Sequence, residues 1–332
     1  MRSAGLAPAP RRRIAAAFWR DFPICWAGVA VRADKRESQG PARQVGKALN
    51  VDVATALRAR LARLWHASSF WRRRFEEAGF ASAPEALDRL AVTTAEELAA
   101  DELAHLPGGS WRDATAFSRA GVPCREQALG ILLFTADDLS REARVGAGAL
   151  RAAGLESGRR STNTLPGAIA TPGSLLVGDA VEALGSLDMP VGPIDTPASC
   201  AVAWDFWQRV QPDFAIVDAK GACDLAGLLD EKQVSATWLG LSGLAVVTDL
   251  RDSEPVTAGF DVPVTRIAGL AECFGLMCAR SSEGAYFPPA DEILVEVLDG
   301  QLVLTALVHS AALVRYAPGV RARAVGAGFE TL

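Results

Sequence analysis

From residue 160 onward the chain alternates helix-like stretches with short apolar runs, and this alternation narrows the possible folds more than any other feature. A strand followed by a helix and another strand returns to the same end of a sheet, so repetition builds parallel strands with helices packed on the faces. Helical patterns cover residues 175–184, 201–210 and 223–231, and each is followed by a strand-like run, at 189–191, 214–217 and 237–241. Late in the chain, residues 293–298 and 301–305 flank Asp299-Gly300. That dipeptide accepts the positive φ angles of a two-residue type I′ turn, so the segment predicts a β-hairpin. The expected class is therefore α/β, with mostly parallel sheets flanked by helices and a small β-rich C-terminal part.

The front half reads as helical. From Val51 the apolar residues Val53, Leu57, Leu61, Leu64 and Trp65 recur at three- and four-residue steps with arginines between them, which predicts an amphipathic helix. It is expected to run on through His66 to Glu77 and stop at Gly79. Two capping-box spacings, Thr94 to Glu97 and Thr135 to Asp138, predict further helix starts, the second helix reaching about Ala153 before Gly154.

Composition excludes several classes. The chain has 332 residues, of which 50% are hydrophobic and 22% charged, enough to bury a large core and too apolar for a disordered chain. No run approaches the roughly 18 uninterrupted apolar residues of a membrane span, so no membrane association is expected. The net charge of −5 is uneven. Residues 1–48 hold ten Lys/Arg against three Asp/Glu, a balance of +7, leaving −12 for the remainder. The first 48 residues read as a basic, poorly ordered leader and residues 49–332 as the folded body. That acidic body opposes a phosphate backbone, and nucleic acid is not an expected partner. Six scattered cysteines without a CxxC pair point to reduced thiols and a cytoplasmic setting, with Cys273 and Cys278 expected to be buried small hydrophobes. Cys273, Cys278 and His309 match no zinc spacing.

Familiar catalytic motifs fail on inspection. Gly146-Ala147-Gly148 lies inside a predicted helix and position 151 is Arg, which removes a dinucleotide fingerprint. Gly240-Leu241-Ser242-Gly243-Leu244 lacks the last glycine of a nucleophile elbow. His66 and His105 fall in helical segments, where a structural role is commoner than catalysis.

Several weaker signals occur in a telling order. His66-Ala67-Ser68-Ser69-Phe70-Trp71-Arg72 through Ala78-Gly79 follows an "H-x-S-x-F-Y-R-x-x-F-x-x-A-G" pattern, and Thr93-Thr94-Ala95-Glu96-Glu97-Leu98 follows "T-T-K-x-x-L" with Ala for Lys. Then come Ala268-Gly269-Leu270-Ala271-Glu272 at a "Y-G-x-S/T-E" block, the hairpin, and Arg315-Tyr316 at "R-Y-R-T-G-D". In this order, over about residues 50–320, the chain resembles the phenylacetate-CoA ligase branch of the adenylate-forming (ANL, AMP-binding) superfamily.

The resemblance implies the layered N-terminal domain of those enzymes, ATP, Mg²⁺ and often coenzyme A as cofactors, and activation of an aryl or acyl carboxylate through an acyl adenylate. It places Gly269 and Glu272 beside the nucleotide, with Glu272 as the Mg²⁺ ligand, a hard oxygen donor, and Arg315 as a nucleotide contact. Ser118 and Gly121 fall where the phosphate loop "S-S-G-T-T-G-K-P" is expected, in the stretch 116–123, and Arg119 there is expected to face an anion. Leu241 to Leu244 and Phe274 to Met277 would wall the acid's pocket.

The departures are substantial. The ribose-binding aspartate falls on Val320, the phosphate loop survives in fragments, and the four lysines, Lys35, Lys47, Lys220 and Lys232, include none after residue 232. The mobile C-terminal domain with its catalytic lysine is expected to be absent, unless a partner protein supplies it in trans. The alternative is a non-catalytic relative that binds a carboxylate, a nucleotide or a partner protein. Each retained residue also has a plainer role: Glu272 as a solvated turn carboxylate, Arg315 and Tyr316 as residues that end a sheet, and Phe70, Trp71 and Phe75 as core.

Overall fold

The computed structural model describes residues 53–123, 130–167, 170–252 and 259–332. It opens with two helices rather than the one long helix expected, α1 (Val53–Ala67) and α2 (Ser69–Glu77). Ser68 breaks the run because its hydroxyl caps the second helix, accepting from the Trp71 amide at 3.2 Å while donating to the Ser110 carbonyl at 2.7 Å. Leu61, Leu64, Phe70, Trp71 and Phe75 all enter one core, and Gly79, at φ +80°, ends α2 as expected.

β1 (Thr93–Thr94) leads into α3 (Ala95–Ala104), where the predicted capping box forms in both directions: Glu97 N donates to Thr94 Oγ1 and Thr94 N to Glu97 Oε2. β2 (Arg119–Pro123) pairs antiparallel with β3 (Leu132–Phe134), and α4 (Ala136–Ala152) follows from the second predicted box, Thr135 with Asp138. Gly146 within α4 is a packing glycine, since a Cβ there would lie 2.8 Å from the Ala180 Cβ.

The alternating region builds β4 (Arg160–Asn163), β5 (Ala170–Thr171), α5 (Ser174–Leu184), β6 (Leu187–Pro190), α6 (Pro197–Val210), β7 (Phe214–Asp218) and α7 (Ala219–Glu231). Then come α8 (Ala236–Leu239), β8 (Leu244–Asp249), β9 (Val264–Leu270) and β10 (Cys273–Ala279). These give a six-stranded sheet in the order β10-β9-β8-β7-β4-β6, parallel except for β10. Its central strands are apolar on both faces because both are covered. Phe214, Ile216, Ala245 and Val247 pack on the α4/α5 side, whereas Ala215, Val217, Leu244 and Val246 pack on the α6/α7 side.

The strand expected at 237–241 is instead α8. Ser235 caps it through the Trp238 amide, Asp261 Oδ1 accepts from the Ala236 and Thr237 amides, and Gly240 closes it at φ +105°. The strand begins at Leu244, seven residues later than expected.

The C-terminal part is β-rich, as expected. β11 (Ile293–Leu298) and β12 (Gln301–Ala306) form the hairpin with Asp299 at φ +51° and Gly300 at φ +74°. β13 (Tyr316–Ala317) joins that hairpin to β1, and β14 (Ala322–Val325) pairs with β15 (Gly328–Thr331). Among the described residues no helix is long and apolar enough to cross a membrane. Cys273 and Cys278 are buried thiols, as expected, and Cys223 is exposed.

Candidate functional site

Glu272 stands at the two-residue connection Ala271-Glu272 between β9 and β10. The connection depends on Gly269, where a Cβ would lie 2.2 Å from the Gly275 carbonyl oxygen, so only a glycine lets the two strands close this tightly. Phe274 takes φ +56°, and the Glu142 carboxylate on α4 holds this strained backbone by accepting from the Phe274 and Gly275 amides. The packing role of Gly269 is accounted for without a ligand.

The Glu272 side chain is fully buried rather than solvated. Arg251 Nη1 and the Tyr316 hydroxyl donate to Oε1 at 3.1 and 3.0 Å, and Arg251 Nη2 donates to Oε2 at 2.8 Å. Arg251 also donates to both oxygens of Asp249, at 2.6 and 2.9 Å. One guanidinium therefore joins two carboxylates at the C-terminal end of β8. Burial alone would lower the Arg251 pKa, but its hydrogen bonds to Asp249 and the charges of Glu272 and Asp249 outweigh that and hold it above the ordinary value. Burial and the neighbouring Glu272 charge push the Tyr316 hydroxyl well up, so it stays a donor.

This donor set does not fit Mg²⁺. A hard dication takes oxygen ligands it does not share with a guanidinium, and both Glu272 oxygens face Arg251. Among the described residues, no group of three or more His, Cys, Asp or Glu side chains could hold a metal ion.

Arg315 is turned to protein acceptors. Its Nη1 donates to the carbonyls of Leu87, at 3.0 Å, and Leu90, its Nε pairs with Glu296 at 3.5 Å, and its amide donates to Thr305 Oγ1 at 2.9 Å. It tethers the segment before β1 to the hairpin. Ser118 precedes a strand and Gly121 lies within it. Residues 119–123 form β2, with the Ser118 amide donating to the Phe134 carbonyl and Gly121 paired with Leu132. Of the expected stretch 116–123, residues 119–123 are thus strand, and residues 124–129, which follow in sequence, lie outside the described residues. Arg119 faces Asp179 on α5 at 2.7 Å rather than a free anion.

The expected acid-pocket walls are core: Leu241 and Leu244 pack beneath α7, and Phe274 packs edge-on against His309. Of these residues, only Met277 lines a described cavity, a groove of about 450 Å³ between α4 and β10.

The larger cleft, about 1270 Å³, lies elsewhere on the same sheet and is lined by Arg251, Arg266, Arg280, Arg321 and Val320 among others. Neither Glu272 nor Arg315 lines it; Arg251 reaches it while holding Glu272. Sequence reasoning missed Arg251 and its pairing, because contacts spanning 21 and 44 residues leave no periodic signal.

No protein-family model and no curated protein sequence matches the chain. Solved structures do. The architecture is the layered α/β fold of the N-terminal domain of adenylate-forming acyl-CoA ligases. The chain is similar to 2-hydroxyisobutyryl-CoA ligase in an open conformation with 2-HIB-AMP and CoA, with 18% identity and a TM-score of 0.71 over 84% of this chain and 67% of that one. The same ligase in its postadenylation state with 2-HIB-AMP gives 18% identity and a TM-score of 0.71 over 84% and 65%. The chain thus spans about two thirds of the ligase's length.

Proposed function

We propose that the chain is a phenylacetate-CoA ligase-like protein of the adenylate-forming kind whose retained function is to bind a carboxylate or its adenylate, without Mg²⁺-dependent adenylation. The observation that carries this reading is the engagement of both Glu272 oxygens by Arg251 and Tyr316. The apolar Val320, where the resemblance expects a ribose-binding aspartate, adds support.

The test has two arms. ATP-pyrophosphate exchange across aryl and acyl acids is expected to stay at background. A non-hydrolysable acyl-adenylate analogue is expected to raise the melting temperature by mass action. Acid-dependent exchange that disappears in Glu272→Ala would overturn the reading and favour the second one, an ATP- and CoA-using ligase. That second reading is supported by the ligase fold across 84% of the chain.

A further inference from the structure

α6 is apolar on two faces. Its inner face, Ala203 and Trp207, packs on the sheet, and Trp207 Nε1 donates to Thr162 Oγ1 of β4 at 2.7 Å, which seats the helix beside the edge strand β6. A surface helix ordinarily turns polar residues to water on its outer side. Here Ala198, Val202 and Phe206 follow one another at four-residue steps on the exposed side, with Ala201 beside them, and Val202 is 70% exposed and Phe206 38%. β6 adds to this surface. Its Asp188 is turned to α5, since a Cβ on Gly178 would lie 2.9 Å from Asp188 Oδ2, so by strand alternation Leu187, 55% exposed, is turned to the α6 side.

The open edge of β6 does not suit strand addition. The Leu187 and Val191 amides donate inward to the Arg159 and Asn163 carbonyls, so Asp188 and Pro190 face outward, and Pro190 has no N–H to offer. A partner therefore meets the helix rather than the strand. The charges around the stripe select that partner. Asp195, just before the Thr196 cap, lies seven residues before Val202, and Arg209 lies seven after, both exposed. Heptad spacing keeps such positions within about 20° of one line along a helix. Reversing the helix about Val202 exchanges Asp195 with Arg209 and Ala198 with Phe206, so acid meets base and small meets large. A surface complementary to its own reversal is what an isologous two-fold contact requires. Arg209 pairs along the helix with Asp205 at 2.8 Å, an exposed contact of little worth that leaves the guanidinium free to turn to a new acceptor.

We propose that the outer face of α6 binds a second copy of this chain: the two α6 helices pack antiparallel about a two-fold axis at Val202, Phe206 of each copy lies over Ala198 of the other, and Asp195 of each pairs with Arg209 of the other. Val202 meets its own counterpart on the axis. A helix of 14 residues spans about 21 Å, so the contact is at the small end of specific interfaces, and the dimer is expected to be half-formed at about 10 to 100 μM chain. β6 and β10 are the two ends of the six-stranded sheet, so a contact beside β6 is remote from Glu272 and does not depend on any ligand bound near it.

Sedimentation velocity on the full chain, across concentrations from below to above that range, tests it, and a reversible monomer–dimer equilibrium is expected. Val202→Glu sets two carboxylates face to face on the axis, and Arg209→Asp sets an acid against Asp195. Each is expected to weaken the dimer by about tenfold or more, because like charges opposed across an interface repel. Asp195→Arg combined with Arg209→Asp restores opposite charges in every pair and is expected to bring the affinity back to within about threefold of the parent. Parallel helices would set each residue against its own kind, so this rescue belongs to the antiparallel register alone. Circular dichroism of these exposed-site variants is expected to match the parent. A chain that stays monomeric above the stated range, as it would if a different partner covers the stripe, would overturn the proposal. So would a dimer that Val202→Glu leaves intact, or a double swap no stronger than Arg209→Asp.

Discussion

At the scale of single residues, Arg251 is the junction of a buried polar cluster with Asp249, Glu272 and Tyr316. Removing it leaves Glu272 charged and buried with only the Tyr316 hydroxyl, and breaking a buried pair in this way typically costs about 3 to 5 kcal/mol. Arg251→Ala is therefore expected to lose stability on that scale in urea titrations, whereas Glu272→Gln, which keeps an acceptor for Tyr316, is expected to lose less. Asp188 on β6 supplies a pH prediction. Burial raises its pKa to about 6, opposed by a hydrogen bond from Asn163, and one of its oxygens has no donor. A carboxyl whose folded pKa lies above its unfolded value favours the folded state most when protonated. The contribution is thus fully favourable below about pH 4 and is lost as pH rises through 6. Asp188→Asn is expected to raise the melting temperature more at pH 8 than at pH 5, and an equal effect at both pH values would refute the assignment.

At the scale of elements, the caps and close approaches carry the local energetics. Thr135→Ala removes half of the box that starts α4 and is expected to cost about 1 to 2 kcal/mol in chemical denaturation. Gly269→Ala drives a methyl into the Gly275 carbonyl and is expected to destabilise by about 1 to 3 kcal/mol, the range for overpacking a rigid site. Elements with a local chemical signature were legible in the sequence: both capping boxes, the Asp299-Gly300 hairpin and the alternation around the sheet. Ser68 was also legible in principle, since a serine before an apolar helix is a capping signal, but the hydrophobic period continues across it and hides the break. The strand at 119–123 was not, because Gly121 and Pro123 suggest a loop while its partners, β3 and β5, lie farther along the chain. The candidate site was less legible than the fold. Glu272 was singled out in the sequence, whereas Tyr316 was read only as a residue that ends a sheet, and what holds Glu272 depends on which side chains the folded sheet brings together.

At the scale of the whole molecule, Arg60 links regions far apart in sequence. Fully buried in α1, it bonds Asp113 and the carbonyl of His309, so helices at the front are tied to the β-rich part at the end. Burial lowers its pKa to about 10, with Asp113 opposing, and it stays charged at neutral pH. Arg60→Leu is expected to lower the melting temperature strongly, by about 3 to 5 kcal/mol of stability, although Arg63 still pairs with Asp113. A loss within the roughly 0.5 kcal/mol of ordinary surface changes would show that the link carries little of the fold.

The Arg251 clamp also sets the order of work for anyone wishing to make the carboxylate at 272 available to a ligand. An acidic residue installed at position 320, which lines the larger cleft, would leave the acidic group at 272 locked to its cationic partner. Freeing that group has to come first, and because the lock also ties the end of β8 to the turn between β9 and β10, that step would itself need a compensating stabiliser.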